Sequence, residues 1–276
     1  MLKLMYITND PEIAKIASDA GVDRIFVDME VLGKAERQKG LDTVQSNHKP
    51  KDIGRIRDVI GHRSEILART NPINPQIEEQ VEECIQYGAD YLMLPMWKTA
   101  SDLRRYADAI ASRCRFMPLL ENEEARINIE EALNVEGIDT MFIGLNDLHL
   151  SQKKTFMFEL LSDGTVENLV QHIRPTGIPY GFGGIARPYS GLLPAELIIR
   201  EHVYLGSTNV ILSRSFCNTD LITDKKEIEK IFCDGVQEIR AVEEECKNWS
   251  EDQFLENREK IRYSVEQIVK KKRENG

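Results

Sequence analysis

Charged side chains stand at the ends of apolar runs in this 276-residue chain, and that placement is where its chemistry begins. The run RIFVDME closes on Asp28, Met29 and Glu30, the run EILAR on Arg69, and the run RFMPLLE on Glu121, while MFIG is followed three residues on by Asp147. Glu121 and Asp147 come from successive runs that hold no cysteine or histidine. Such an oxygen donor set suits a hard divalent cation, Mg²⁺ or Mn²⁺, which keeps several waters for a substrate to replace. Arg69 carries the planar fork that grips a carboxylate through two parallel hydrogen bonds. A plainer role stands beside this one: each acid also precedes an amphipathic or polar segment, where carboxylates cap helices.

The elements that must position these groups are legible in the spacing of apolar residues. Short β-rich runs alternate with longer amphipathic stretches up to about residue 214, the pattern of repeated βα units around a parallel sheet. Eight strands are predicted, over Leu2–Ile7, Arg24–Glu30, Glu65–Arg69, Tyr91–Pro95, Arg115–Glu121, Thr140–Gly144, Pro179–Gly183 and Thr208–Leu212. Helical patterns fill Pro75–Gly88, Thr99–Ser112, Glu123–Asn134, Val166–Arg174 and Pro194–Leu205. Eight such units without a Gly-rich phosphate loop after the first strand favour a closed (β/α)8 TIM barrel over an open doubly wound sheet. In that α/β fold catalytic groups sit at the C-terminal ends of strands, where the four acids and Arg69 fall. Two connections, Val31–Arg63 and Leu148–Gly164, are long enough to be functional loops.

Past Ser213 the periodicity becomes purely helical, with Ile228, Phe232, Val236, Ile239 and Val242 on one stretch and Phe254, Ile261, Val265 and Ile268 on the next. The expected organisation is a barrel catalytic domain over 1–216 and two additional C-terminal helices over 217–276 that pack on it or join subunits into a homo-oligomer. The basic end KKKR at 270–273 is read as a frayed tail.

Lys+Arg at 36 against Asp+Glu at 46 leaves a net charge of −10, which repels phosphate backbones and anionic lipid, so no nucleic-acid or membrane partner is expected. Five cysteines lie far apart without a CxxC pair, giving neither a disulfide framework nor a zinc site. No apolar run approaches the roughly 18 residues of a membrane span. The expectation is a cytoplasmic protein acting on a small molecule.

Five segments, GVDRIFVDME, ILARTNP, GADYLMLPM, MPLLENEEA and GIDTMFIGLNDLHLS, occur in an order and spacing that resemble the HpcH/HpaI aldolase and citrate lyase family of the phosphoenolpyruvate/pyruvate barrel superfamily. The resemblance covers about Val22–Ser151 closely and the later strands loosely. It implies a metal-dependent carbon–carbon lyase that works through a metal-bound enolate of pyruvate or a related 2-oxo acid. By the same resemblance Glu121 and Asp147 hold the metal, and Arg69 binds the substrate carboxylate and enolate oxygen. The backbone at Gly144, Leu145 and Asn146 meets that carboxylate, while Asp28 and Glu30 organise water and proton transfer. No Schiff-base lysine is implied.

Two departures bear on the chemistry. The family's pyruvate aldolases place a histidine directly after the strand-two glutamate, where this chain has Val31, and often a glutamine where it has Leu119. Citrate-lyase-like members manage without that histidine and use acyl thioesters, so a CoA-dependent lyase is the alternative enzyme, and a non-catalytic binding or assembly barrel the alternative class. The loop ERQKGLDTVQSNHKP offers His48 as a proton donor and Arg37 as an anion-binding group, with Lys39 alongside. GFGGIA at 181–186 matches a dinucleotide fingerprint, but the prolines after it cannot open a helix. Its glycines are read instead as letting backbone approach the barrel mouth, with Arg187 facing substrate. His149, two residues beyond Asp147, is read as a loop-packing residue rather than a member of the metal shell, and Cys217 follows strand eight where a thiol nucleophile would want a histidine partner that the sequence does not place.

Overall fold

The computed structural model describes residues 1–33 and 48–275. In chain order it runs β1 (Lys3–Ile7), α1 (Pro11–Asp19), β2 (Arg24–Asp28), α2 (Pro50–Ile60), β3 (Glu65–Arg69), α3 (Ile77–Gln86), β4 (Tyr91–Leu94) and α4 (Ala100–Ile110). It continues β5 (Arg115–Leu120), α5 (Glu123–Ile127), α6 (Ile129–Ala132), β6 (Met141–Ile143), α7 (Leu145–Ser151), α8 (Glu159–Ser162) and α9 (Thr165–Ile173). The last elements are β7 (Tyr180–Ile185), α10 (Ala195–Leu205), β8 (Asn209–Leu212), α11 (Lys225–Cys246) and α12 (Glu251–Asn275). Each strand pairs in parallel with the next, and β8 pairs with β1, so the sheet closes into the expected (β/α)8 barrel.

Closure follows from which side chains the strands carry. Strands covered on both faces must be apolar throughout, and β2 and β4 are buried at every position. Alternate residues split into two sets. Met5, Phe26, Leu67, Tyr91, Met93, Met117, Leu119 and Phe142 fill the barrel interior. Leu4, Ile25, Val27, Ile66, Ala68, Leu92, Leu94 and Phe116 belong to the larger cluster that includes the buried faces of the helices. The GFGGI segment is strand β7 rather than a strand-to-helix turn, which removes the fingerprint reading. A Cβ on Gly181 would run into the Asn209 carbonyl, so glycine is what lets β7 and β8 pair, and the ladder shifts register between Gly181 and Gly184.

The two long connections are not wholly loops. Val31–Arg63 contains α2, started by Pro50 and by Asp52, whose carboxylate accepts the Lys49 amide at 2.9 Å, and seated through buried Ile53, Ile56 and Ile60. Leu148–Gly164 contains the end of α7 and all of α8. The predicted Glu123–Asn134 helix is interrupted at Asn128, which donates from Nδ2 to the Lys98 carbonyl.

The two expected C-terminal helices are present as α11 and α12. Helix α11 packs between α10 and α1, in the place of the helix that follows the eighth strand. Helix α12 follows it and lies against α8 and α10. Arg258 of α12 bridges Glu167 of α9 at 2.6 Å and Glu201 of α10 at 3.2 Å. Among the described residues no helix is long and apolar enough to cross a membrane.

Candidate active site

The barrel mouth is built from the residues at and just beyond the strand ends. Asp28 of β2 and Arg69 of β3 are ladder partners, so their side chains rise side by side on the interior face. The guanidinium Nε and Nη2 donate to Asp28 Oδ1 and Oδ2, each at 2.8 Å, and Nη1 lies 3.5 Å from Glu30 Oε2. Burial alone would make Arg69 easier to deprotonate, but the Asp28 and Glu30 carboxylates more than reverse this and raise its pKa. The fork expected to grip a substrate carboxylate is thus held by Asp28 in this state.

Glu121 sits two positions beyond Leu119, which pairs with Phe142, so it faces Gly144 across the β5–β6 ladder. A Cβ at residue 144 would lie 2.9 Å from Glu121 Cβ and 3.2 Å from its Oε2. Glycine therefore opens the space around this carboxylate. From the other side the Met96 backbone N–H donates to Glu121 Oε1 at 3.0 Å. Burial pushes the Glu121 carboxyl well above the usual carboxylate range, and the charges of Glu30 and Asp147 push it further, against the opposing pull of Arg69 and the Met96 amide. Glu30 just past β2 and Asp147 in the first turn of α7 therefore both act on Glu121 just past β5, with Arg69 opposing them.

The capping role is taken by other residues. Helix α5 is capped by Asn122, whose Oδ1 accepts the Ala125 amide at 2.9 Å, and α7 starts at Gly144 with no side-chain cap bond. Asp147 lies in the first turn of α7 and is buried. Leu145 points its side chain into the core against Gly183, leaving its amide as its only polar group, and Asn146 is half-buried beside it.

Of the remaining expected residues, His48 comes to the site edge: its Nδ1 accepts the Asp28 backbone N–H at 2.9 Å. Arg37 and Lys39 lie outside the described residues. Arg187 is not brought to the acids. Its Nε and Nη2 donate to Glu238 of α11 at 2.8 and 2.5 Å, because the chain after β7 turns outward onto that helix. His149 Nδ1 contacts the Leu145 carbonyl at 3.1 Å within its own helix, and burial lowers its pKa. Val31 is 55% exposed and Leu119 fills the interior below Glu121, so neither supplies polar chemistry.

Two residues not anticipated from sequence shape this mouth. Asn71 accepts the Val31 and Leu32 amides on Oδ1 at 2.9 and 3.0 Å and so fixes how the chain leaves β2. An Asn before a proline at a strand end was its only signal. Met96 adopts φ 52°, a left-handed conformation rare outside glycine, Asn and Asp, and nothing in its side-chain type announces that.

A family model described as HpcH/HpaI aldolase/citrate lyase matches residues 3–180. No curated protein sequence matches the chain. Among solved structures, an HpcH/HpaI aldolase from Desulfitobacterium hafniense is 15% identical, with 83% of this chain and 93% of that one covered and a TM-score of 0.61. An HpcH/HpaI aldolase/citrate lyase family protein from Burkholderia cenocepacia is 14% identical, covering 82% and 94%, with a TM-score of 0.62. Macrophomate synthase is 12% identical, covering 77% of each chain, with a TM-score of 0.56. At these identities the solved structures speak for the barrel, and the family model speaks for descent: the chain belongs to the HpcH/HpaI aldolase/citrate lyase family.

Proposed function

We propose that this chain is a divalent-metal-dependent carbon–carbon lyase of aldolase type, acting through the enolate of pyruvate or a related 2-oxo acid. The observation that supports the reading is the placement of Glu121: it is buried at the mouth, its Oε1 takes the Met96 amide, its Oε2 lies in the space left by Gly144, and the charges of Glu30, Asp147 and Arg69 reach it. A buried carboxylate that feels two others is favoured in its charged form by a divalent cation held beside it.

The donor chemistry fits Mg²⁺ or Mn²⁺. All candidate ligand atoms are carboxylate oxygens, and the missing Cβ at Gly144 leaves room at Glu121 Oε2. Among the described residues no three His, Cys, Asp or Glu side chains stand together so as to hold a metal ion. Mg²⁺ does not need three, since it is commonly held by one or two carboxylates and retains water. In this reading Glu121 and Asp147 hold the cation, which supplies Lewis-acid stabilisation of charge on substrate oxygens.

The chain's own residues do the rest. Arg69, charged at every working pH, binds the substrate carboxylate and stabilises the oxygen that receives the electron pair when the carbon–carbon bond breaks. Asp28 aligns Arg69 through its two-point contact. Glu30 with Asp28 holds water and relays protons, and the Gly144, Leu145 and Asn146 backbone meets the carboxylate. His48, whose Nδ1 accepts the Asp28 amide, stands at the edge of this machinery. A CoA thioester would need basic groups converging at the entry, and the engagement of Arg187 by Glu238 weighs against that alternative.

Calorimetry tests the reading. Mn²⁺ should bind the purified protein, oxalate should bind more tightly once Mn²⁺ is present, and Mn²⁺ should gain affinity reciprocally from oxalate. Glu121→Ala should remove both responses. A protein that binds neither ligand, or whose Glu121→Ala variant binds both, would overturn the assignment.

A further inference from the structure

We propose that Met96 is a positioning residue: its left-handed backbone aims its N–H at Glu121 Oε1, so that Oε2 is the oxygen offered to a cation. This rests on the reading of Glu121 as a ligand and adds the group that orients it.

The geometry around Met96 is over-determined. Strand β4 ends at Leu94, whose ladder partner is Pro118, and Pro95 follows with its φ restricted by the ring. On the far side Trp97 is 1% exposed, and its carbonyl accepts from Asn122 Nδ2 at 2.9 Å. Between these two anchors Met96 takes φ 52°, which an L side chain resists. An extended residue there would turn its N–H elsewhere. Backbone strain that the surroundings maintain clusters where a site needs a particular group in a particular direction. Here the direction is specific: the N–H meets Oε1 at 3.0 Å, while Oε2 lies on the Gly144 side, 3.2 Å from where a Cβ would be. Asn122, immediately after Glu121, closes the arrangement, because the residue that follows the ligand also pins the residue that follows Met96.

A freely rotating carboxylate would have to lose that freedom on binding a cation. One whose Oε1 is already committed to a fixed N–H is pre-organised, and its negative charge is supported by a charge-assisted hydrogen bond. The side chain of Met96 has no part in this account.

Titration of Mn²⁺ into the whole protein reads the effect directly. Replacing Met96 by its α-hydroxy acid analogue through codon suppression exchanges the N–H for an ester oxygen and keeps the side chain. The Mn²⁺ Kd should then rise about tenfold or more, the change that a hydrogen bond to a charged acceptor carries. Met96→Gly accepts the left-handed φ without strain and keeps the N–H, so its Kd should stay within about twofold of the parent. Met96→Val, branched at Cβ and a poor fit to positive φ, should weaken Mn²⁺ by about tenfold while the protein still melts cooperatively. Failure of the two readings can be told apart. Absence of Mn²⁺ binding in the parent protein overturns both, whereas binding that Glu121→Gln abolishes and the ester leaves unchanged overturns the role of Met96 alone. Equal losses in the glycine and valine variants would also overturn it, since they would trace the effect to the side chain.

Discussion

Strand β2 carries a buried charge at each end, and the two ends treat it in opposite ways. At the lower end Arg24 is 4% exposed and fully engaged: Nε donates to Glu65 at 2.8 Å, Nη2 to the Tyr91 hydroxyl at 2.9 Å, and Nη1 to Asn209. Its guanidinium also lies 4.1 Å from the Tyr91 ring centroid. At the upper end Asp28 is gripped by Arg69 of β3, whose guanidinium also faces Glu30 and, at longer range, Glu121. The lower cluster is saturated by neutral partners and one carboxylate, which is how a barrel base is made stable. The upper cluster gathers several carboxylates at the barrel mouth, where Glu121 is pressed by Glu30 and Asp147 and a bound cation would relieve it. Position on the same strand does not decide a charged residue's role; the balance of its surroundings does.

The sharpest way to break this comparison is to remove one charge from each end. Glu121→Ala should abolish metal-dependent turnover and leave the protein folded, with stability no lower than the parent's, because it deletes a buried carboxyl pressed by two others. Arg24→Met should do the reverse, costing about 3 kcal/mol in urea denaturation while the folded fraction still binds Mn²⁺. A Glu121→Ala protein that unfolds, or an Arg24→Met protein that folds normally but loses Mn²⁺, would erase the distinction.

Acid pressure also gives the fold a pH dependence with a definite sign. Glu121 is raised well above its usual range, and Glu201, buried under α12, is pushed up to about 7 by burial that Arg258 only partly offsets. A carboxyl whose folded pKa exceeds its unfolded one contributes stability that is complete below the unfolded value and is lost as pH rises through the folded value. The metal-free protein should therefore weaken from about pH 5 to about pH 8, with Glu201 responsible for about 3 kcal/mol and removed from the curve in Glu201→Gln. Mn²⁺ should cancel the Glu121 share and leave the Glu201 share intact. If Mn²⁺ flattened the whole curve, or left it unchanged, the two regions would not be separable as argued.

How much of this was readable in the sequence depends on how local each cause is. Strand periodicity belongs to neighbouring residues, so eight strands and the acids at their ends were legible, and the Asp28–Arg69 pairing followed once β2 and β3 were in register. Helix α2 was legible too, through Ile53, Ile56 and Ile60, but was hidden within a stretch treated as one long connection. The slot taken by α11 depends on barrel closure, which no window of sequence records. The φ of Met96 is imposed by Pro95 on one side and by the anchoring of Trp97 on the other, and methionine itself has no preference for it.

The smallest effect concerns Arg187, which sequence order puts at the mouth and tertiary structure takes away from it. Its guanidinium is about one-third exposed and meets Glu238 at 2.5 Å and Asp234 at 3.9 Å, both on α11. Solvent screens such a pair, so Arg187→Ala should cost about 1 kcal/mol or less. Because the lost contacts run to the outer helix, Mn²⁺ and oxalate affinities should not change in the same variant, and Glu238→Gln should reproduce its small loss of stability. If Arg187→Ala instead lost oxalate binding while keeping its stability, the guanidinium would be exchanging between α11 and the mouth. The upper cluster would then own a further cation, and its contrast with the barrel base would shrink accordingly.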